Sequence, residues 1–361
     1  MNIEEIIGRL LPVLVFVASI SFVVNVAAAV GAIEKITDFF HRASHGSAWR
    51  IWWFIMLLAA VSTAFLSLDT TAILVTPLAM ALSRRLHINP VPLVLGIIWI
   101  ANLGSLPIPV SNLTNLLSVS GGMFHSTSDY FQHSWAPAIL ALAIALLAAA
   151  LVFATWRKET TIQSASNTAN NVAGPNAIQC LWVLAILIPT LASPIPYWFS
   201  STVAALFLGL VFARTPQGRG YLSWSLIPWS SLIFVAGLSI LAFLLHSYST
   251  FITNSVSSLL ESSIDGPAIF AALGALTSNA VNNIPAFLAL EPTATTPEHM
   301  MALLIGVNAG PIVTPWASLA TLLCLDQARR AGVHISWKTI IGSGLILVPF
   351  AVGLPAATLL F

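Results

Sequence analysis

A chain of 361 residues that is 58% hydrophobic and only 7% charged is no ordinary soluble domain, because such domains carry about a quarter charged residues; most of its surface must face lipid. Its net charge of +1 excludes the strongly basic surface that nucleic acid requires. Two cysteines, Cys180 and Cys324, both in apolar stretches, supply no disulfide framework.

A membrane span needs about 20 apolar residues. Behind Glu4, Glu5 and Arg9, a poor start for a secretory signal, the first charge-free run covers 10–33. It is long for a leader and is read as a span. Next come 49–83 and 91–117, apolar but interrupted by polar residues, Gly or Pro, then a clean run at 134–156. The Ser/Asn/Thr-rich stretch 159–177 reads as a flexible connection. It is followed by a shorter pair, 178–193 and 197–213, joined through Ser193-Pro194-Ile195-Pro196. A clean run at 226–247, two interrupted ones at 266–290 and 299–325, and a clean one at 339–361 complete the chain. Nine of the 12 tryptophans sit near segment ends, where interfacial indoles belong.

Charge then orients the segments. The connections 34–50, 84–90, 157–177, 214–225 and 326–338 hold 12 of the 13 Lys and Arg residues. The connections 118–133, 248–265 and 291–298 hold none, but carry Asp129, Glu261, Asp265, Glu291 and Glu298. Placing the basic set in the cytosol puts the N-terminus outside. It also requires 49–83 to enter and leave on the cytosolic side and 266–290 to enter and leave on the outer side. Both are therefore read as re-entrant hairpins. The fold class is all-α and polytopic, an inverted repeat with two re-entrant helical hairpins and two interrupted transmembrane helices. Residues 1–156 form the first repeat, 157–225 a linker with its helix pair, and 226–361 the second repeat.

The two halves also share residues. At an offset of 206, Asn102–Leu117 lies over Asn308–Leu323 with six of sixteen positions identical; at 208, Pro77, Ala81 and Leu82 meet Pro285, Ala289 and Leu290. Inverted repeats with broken helices point to a substrate site near mid-membrane, because irregular backbone at that depth is tolerated only inside protein or along a cavity.

The polar residues of these broken stretches are the candidate site. Asp69 is the sole acid within an apolar hairpin. A carboxylate there costs about 2.5–3.5 kcal/mol on insertion scales, so it is read as the proton or ion carrier, or alternatively as the N-cap of a half-helix 70–83. Thr70, Thr71, Asn102, Ser111, Asn112, Asn115, Ser278, Asn279, Asn282, Asn283, Asn308, Thr314 and Ser318 are read as the substrate shell. Hydroxyls and carboxamides both donate and accept, which suits a small ion or a neutral oxyacid. The competing reading is that they only bridge helices. Cys324 offers a thiol to trivalent arsenic but equally reads as an inert buried residue. Asp326, Arg329 and Arg330 read as an interfacial anchor. No His-Glu-x-x-His pattern and no phosphate-binding glycine loop occurs, so neither a metal site nor a P-loop is expected. No cofactor is expected either, and no Ser–His pair or metal pattern supports an intramembrane enzyme.

The stretches Phe65–Pro77, Pro109–Leu117, Val281–Pro292 and Val307–Leu323 resemble the arsenical pump membrane protein family, within the superfamily that also holds sodium/proton antiporters and di- and tricarboxylate carriers. The likeness runs from about residue 10 to the end. It implies an elevator-like transport domain, a homodimer, and proton-coupled efflux of arsenite or antimonite, sometimes with a cytosolic ATPase partner. Two features depart from the family pattern: a single helix precedes the first hairpin, and Asp69-Thr70-Thr71 stands where carboxylate carriers show Ser-Asn-Thr. The alternatives left open are a sodium/proton antiporter and a dicarboxylate-type organic-anion carrier.

Overall fold

The computed structural model describes residues 3–156, 175–191, 195–234, 236–237 and 266–360. The expected span 226–247, the connection 248–265, most of the stretch 157–177 and the Ser193-Pro194 turn lie wholly or largely outside these residues. Among the described residues there are helices and no strands.

Helix α1 (Ile3–Ala29) starts before the expected boundary and stops at Gly31, whose φ of 83° breaks the helix. Helix α2 (Ala32–Ser44) follows, where a plain connection was expected. It was missed because its mixed sequence has no apolar run; its order lies in one apolar face against α4, with Phe39 and Arg42 exposed on the other. Helices α3 (Ala48–Phe65) and α4 (Leu68–Leu86) form the first hairpin and pack together. With 18 residues, α3 is about 27 Å long and apolar enough to cross a membrane, as are Thr127–Trp156 and Trp337–Leu360.

Next come α5 (Val91–Leu103), a one-turn 3-10 segment at Pro109–Ser111, α6 (Leu113–Ser120) and α7 (Thr127–Trp156). Helices α8 (Pro175–Leu191) and α9 (Tyr197–Ala213), with the short α10 (Pro216–Arg219), pack together and against α1. The second hairpin is α11 (Gly266–Val281) and α12 (Asn283–Leu290); it is followed by α13 (Pro297–Ala309), α14 (Leu319–Arg330) and α15 (Trp337–Ala357).

The helix ends at the two breaks share one offset. Helices α5 and α13 are both 13 residues long and start 206 residues apart; α6 and α14 also start 206 apart. The 208 offset has no such counterpart. The hairpin tips, Ser67 and Asn282, are 215 residues apart, so Pro77 falls inside α4 whereas Pro285 opens α12. Packing is exchanged between halves: α4 and α5 pack on α14, while α12 and α13 pack on α6.

Connections of the same charge type touch one another. Arg85 pairs with Asp38, Asn89 donates to the Trp156 carbonyl, and Arg330 donates to the Ser225 carbonyl at 2.6 Å, all among the basic connections. Gly121 neighbours Glu291, and Phe270, near the start of α11, stacks on His299 at 4.7 Å, both involving the acidic connections. There Glu298 is held below the usual carboxylate range by its own backbone N–H and by the Thr296 hydroxyl.

Helices α11 and α13 approach closely because Gly306 and Gly274 face each other's backbone. A Cβ at Gly306 would lie 2.3 Å from the Ala271 carbonyl oxygen. Gly306→Ala is therefore expected to cost about 1–3 kcal/mol through overpacking, whereas Gly342→Ala, which meets nothing within 4 Å, is expected to be neutral. Thermal unfolding of the two variants in detergent measures the difference.

Candidate functional site

Each hairpin turns through a backbone that side chains rarely adopt. Ser67 has φ 149° and Asn282 has φ 94°. A non-glycine residue with positive φ is uncommon, and each tip side chain offsets part of that cost by capping the next helix: Ser67 Oγ accepts from the Thr70 N–H and Asn282 Oδ1 from the Ile284 N–H. Ser67, not Asp69, is thus the N-cap of α4. The capping role considered for Asp69 is taken, and its carboxylate is left for something else.

Around the first tip the hydroxyls satisfy one another. Ser67 Oγ pairs with Thr70 Oγ1 at 2.9 Å; Thr63 Oγ1 donates to Thr71 Oγ1, which donates to the Ser67 carbonyl. The hydroxyls of Thr70 and Thr71 therefore hold the turn. Asp69 differs. Its residue is half-buried, and one oxygen, Oδ1, is sealed from the surface with no hydrogen-bond partner among the described residues. It lines a cleft of about 70 Å³ with Ser67, Asn112, Leu113, Phe16 and Tyr197. Tyr197 belongs to α9 and Phe16 to α1, so the cleft lies where that helix group meets the first hairpin and first break. No Lys or Arg lines it.

The first break is closed by a buried polar network. Asn308 Oδ1 accepts from Asn112 Nδ2 (2.8 Å) and Thr114 Oγ1 (2.7 Å), while Asn308 Nδ2 donates to Asn115 Oδ1 (2.6 Å). Asn115 donates to the Ser105 carbonyl at 2.6 Å, and Ser111 Oγ donates to the Ser105 and Ile108 carbonyls. From α7, Tyr130 and Ser134 donate to the carbonyls of Leu106 and Pro107. Ser111, Asn112, Asn115 and Asn308 are thus brought together, all buried, and they bond to one another, to Thr114 and to the carbonyls of Ser105 and Ile108.

The second hairpin is tied directly to the second break. Asn279 Nδ2 donates to the Gly310 carbonyl at 2.8 Å; its Oδ1 accepts from the N–H groups of Val313 and Thr314, and Thr314 Oγ1 donates to its carbonyl. Asn282 Nδ2 donates to the Trp316 carbonyl at 2.7 Å, and the Asn283 N–H to the Ala317 carbonyl. Ser278 stays apart from this set, its hydroxyl returned to Ala275 in its own helix. Asn102 reaches Thr321 Oγ1 at 3.5 Å, but its Oδ1, like the hydroxyl of Ser318, is buried without a partner among the described residues. Cys324 is buried and accepts from Thr76 Oγ1 at 3.4 Å, joining α14 to α4. Asp326 and Arg330 pair at 2.7 Å.

Sequence reasoning passed over Ser67, Ser105, Tyr197 and Thr321. Thr321 was legible, since it stands 206 residues after Asn115. Tyr197 was not, because only packing brings α9 to the first tip.

A family model described as "Citrate transporter" matches residues 2–299. The chain belongs to this family. It is similar to an arsenical pump membrane protein of Escherichia coli, with 26% identity over 336 residues covering 85% of this chain and 76% of the relative. An arsenical pump membrane protein of Yersinia enterocolitica is 26% identical over 82% of this chain and 73% of its own length. A 46 kDa membrane protein of Mycobacterium leprae is 24% identical over 95% of this chain and 84% of its own length. The chain is thus a multi-pass membrane transporter of the citrate transporter family and not an enzyme, with arsenical pump membrane proteins among the proteins it resembles.

Proposed function

We propose that the chain exports a small neutral oxyacid of the arsenous or antimonous type across the cytoplasmic membrane in exchange for protons. Asp69 carries the proton, and hydroxyl and carboxamide groups at the helix breaks contribute the substrate shell. The observation that carries this reading is the Asp69 carboxylate, partnerless at Oδ1, lining a small cleft between the first hairpin tip and α9. An intramembrane acid without an ion-pair partner is a functional group by default. The names of the similar arsenical pump membrane proteins agree with the substrate class.

A second reading is export or uptake of an organic anion, favoured by the description of the family model. Against it stands the charge around the site: no Lys or Arg is among the buried described residues, and a multivalent carboxylate needs fixed positive charge or bound cations to leave water. Flux into inverted vesicles separates the two. Arsenite uptake driven by an acid-inside pH gradient, with no citrate uptake, is the expected result; citrate uptake without arsenite movement would reverse the choice.

The architecture behind this reading is an inverted pair of halves, each with a re-entrant hairpin. Its support is the shared 206-residue offset of the helix ends and the contacts that basic connections make with basic ones and acidic with acidic. Cysteine accessibility labelling at 84–90 and 291–298 is expected to report opposite faces of the membrane.

A further inference from the structure

The two breaks are built alike but finished differently. Ser318 opens α14 as Asn112 opens α6, 206 residues earlier, with nearly the same backbone (φ −137°, ψ 138° against φ −149°, ψ 143°). Asn102 ends α5 against Thr321, as Asn308 ends α13 against Asn115. In the first break the long Asn112 side chain does two jobs: it donates to Asn308 Oδ1 and caps the Thr114 N–H. Thr114 adds a second donor to the same oxygen.

In the second break Ser318 stands for Asn112 and Ala320 for Thr114. Serine is too short to span the gap and alanine has no donor. The consequence is visible in three places. Among the described residues neither Asn102 Oδ1 nor Ser318 Oγ has a hydrogen-bond partner, and α14 has no side-chain cap. Both residues are wholly buried, and the Asn102 amide lies at the first turn of α14 through its contact with Thr321. Buried polar groups are almost always satisfied, so an unpartnered carboxamide oxygen and an unpartnered hydroxyl beside an uncapped helix start mark a place where something else binds.

The chemistry of that something is constrained. The N–H groups of the first turn and the Ser318 hydroxyl donate, while Asn102 Oδ1 only accepts. A bare cation would be opposed by the helix N-terminus, and a fully ionised anion by the Asn102 oxygen. A neutral molecule with several hydroxyls on a small central atom satisfies both. We infer that the second break, and not the first, holds the transported oxyacid, whose hydroxyls donate to Asn102 Oδ1 and whose oxygens accept from Ser318 and the start of α14. This deepens the export reading and rests on it. The first break, sealed by Asn112, Thr114, Asn115 and Asn308, is a fixed joint between the halves.

The test is to close the second break the way the first is closed. Ser318→Asn would place a carboxamide where Asn112 has one, satisfying Asn102 Oδ1 and capping α14. Arsenite binding to the purified full chain in detergent, followed by calorimetry, is expected to weaken roughly tenfold or more, since a seat of two or three hydrogen bonds is filled. The unliganded protein is expected to melt no lower than wild type. Ser318→Ala, which only removes the hydroxyl, is expected to weaken binding by roughly three- to tenfold and covers the case in which the larger side chain prevents folding. Wild-type binding of arsenite with both variants unchanged would overturn this assignment and leave the export reading standing. Failure of the wild-type protein to bind arsenite at all would overturn the export reading, and this assignment with it.

Discussion

Replacing Asp69 by Asn is expected to abolish flux driven by a pH gradient while leaving expression and thermal stability close to wild type. The carboxylate is not needed to build the tip: Ser67 caps α4, Thr63, Thr70 and Thr71 bond within the hairpin, and Asp69 Oδ1 bonds to nothing described. Removing a paired buried charge commonly costs 3–5 kcal/mol because a partner is left stranded. Here no partner among the described residues is there to strand, and a neutral amide lowers the cost of placing this position in the membrane. The proton-carrying role, by contrast, cannot survive, since an amide does not titrate at accessible pH. The expected signature is thus a split: loss of coupled transport of about 100-fold or more, the size of effect general acid–base groups commonly carry, against an unchanged melting curve. Inverted vesicles with arsenite and an imposed pH gradient give the first measurement and detergent unfolding the second. Normal gradient-driven flux through Asp69→Asn would remove the carrier role altogether.

The other large effect is one of stability. Asn308→Ala is expected to destabilise the fold by about 2–4 kcal/mol, the cost of leaving two or three buried polar groups unpaired. It strips Thr114 Oγ1 and Asn115 Oδ1 of their partner in the other half and leaves Asn112 Nδ2 with only the longer contact to Ser105 Oγ. Average interhelical hydrogen bonds in membranes are worth about 0.6 kcal/mol each, so several must fail together to reach this figure. Asn102→Ala, at the equivalent place 206 residues earlier, removes only a bond within its own helix and a 3.5 Å contact, and is expected to cost about 1 kcal/mol or less. Unfolding in mixed detergent micelles compares the pair directly. Equal losses at the two positions would contradict the unequal finish of the breaks.

Much of the architecture could be read from the residues because the bilayer imposes strong local rules. Low charge and long apolar runs mark α7 and α15 as spans, and interruptions at Asn102–Asn115 and Asn308–Ser318 mark the breaks. The 206 offset, visible as six identities, reappears as matching helix ends. The 208 match of Pro77 with Pro285 was different. Three shared small or apolar residues in a 58% hydrophobic chain arise from composition, and the hairpin tips do not follow them. Helix α2 escaped notice because hydropathy alone does not detect a helix with one apolar face.

What the sequence determined by itself was the class of molecule, its membrane setting and the set of polar residues at the breaks, because each of those follows from composition and local pattern. Which of these residues face one another was decided by the tertiary structure alone. Hydrogen-bond partners such as Asn308 and Asn115 lie 193 positions apart, and no local rule reports that a serine at 318 falls short where an asparagine at 112 reaches. A bond of this kind depends on a gap of one or two ångströms between packed helices, and only folding sets that distance.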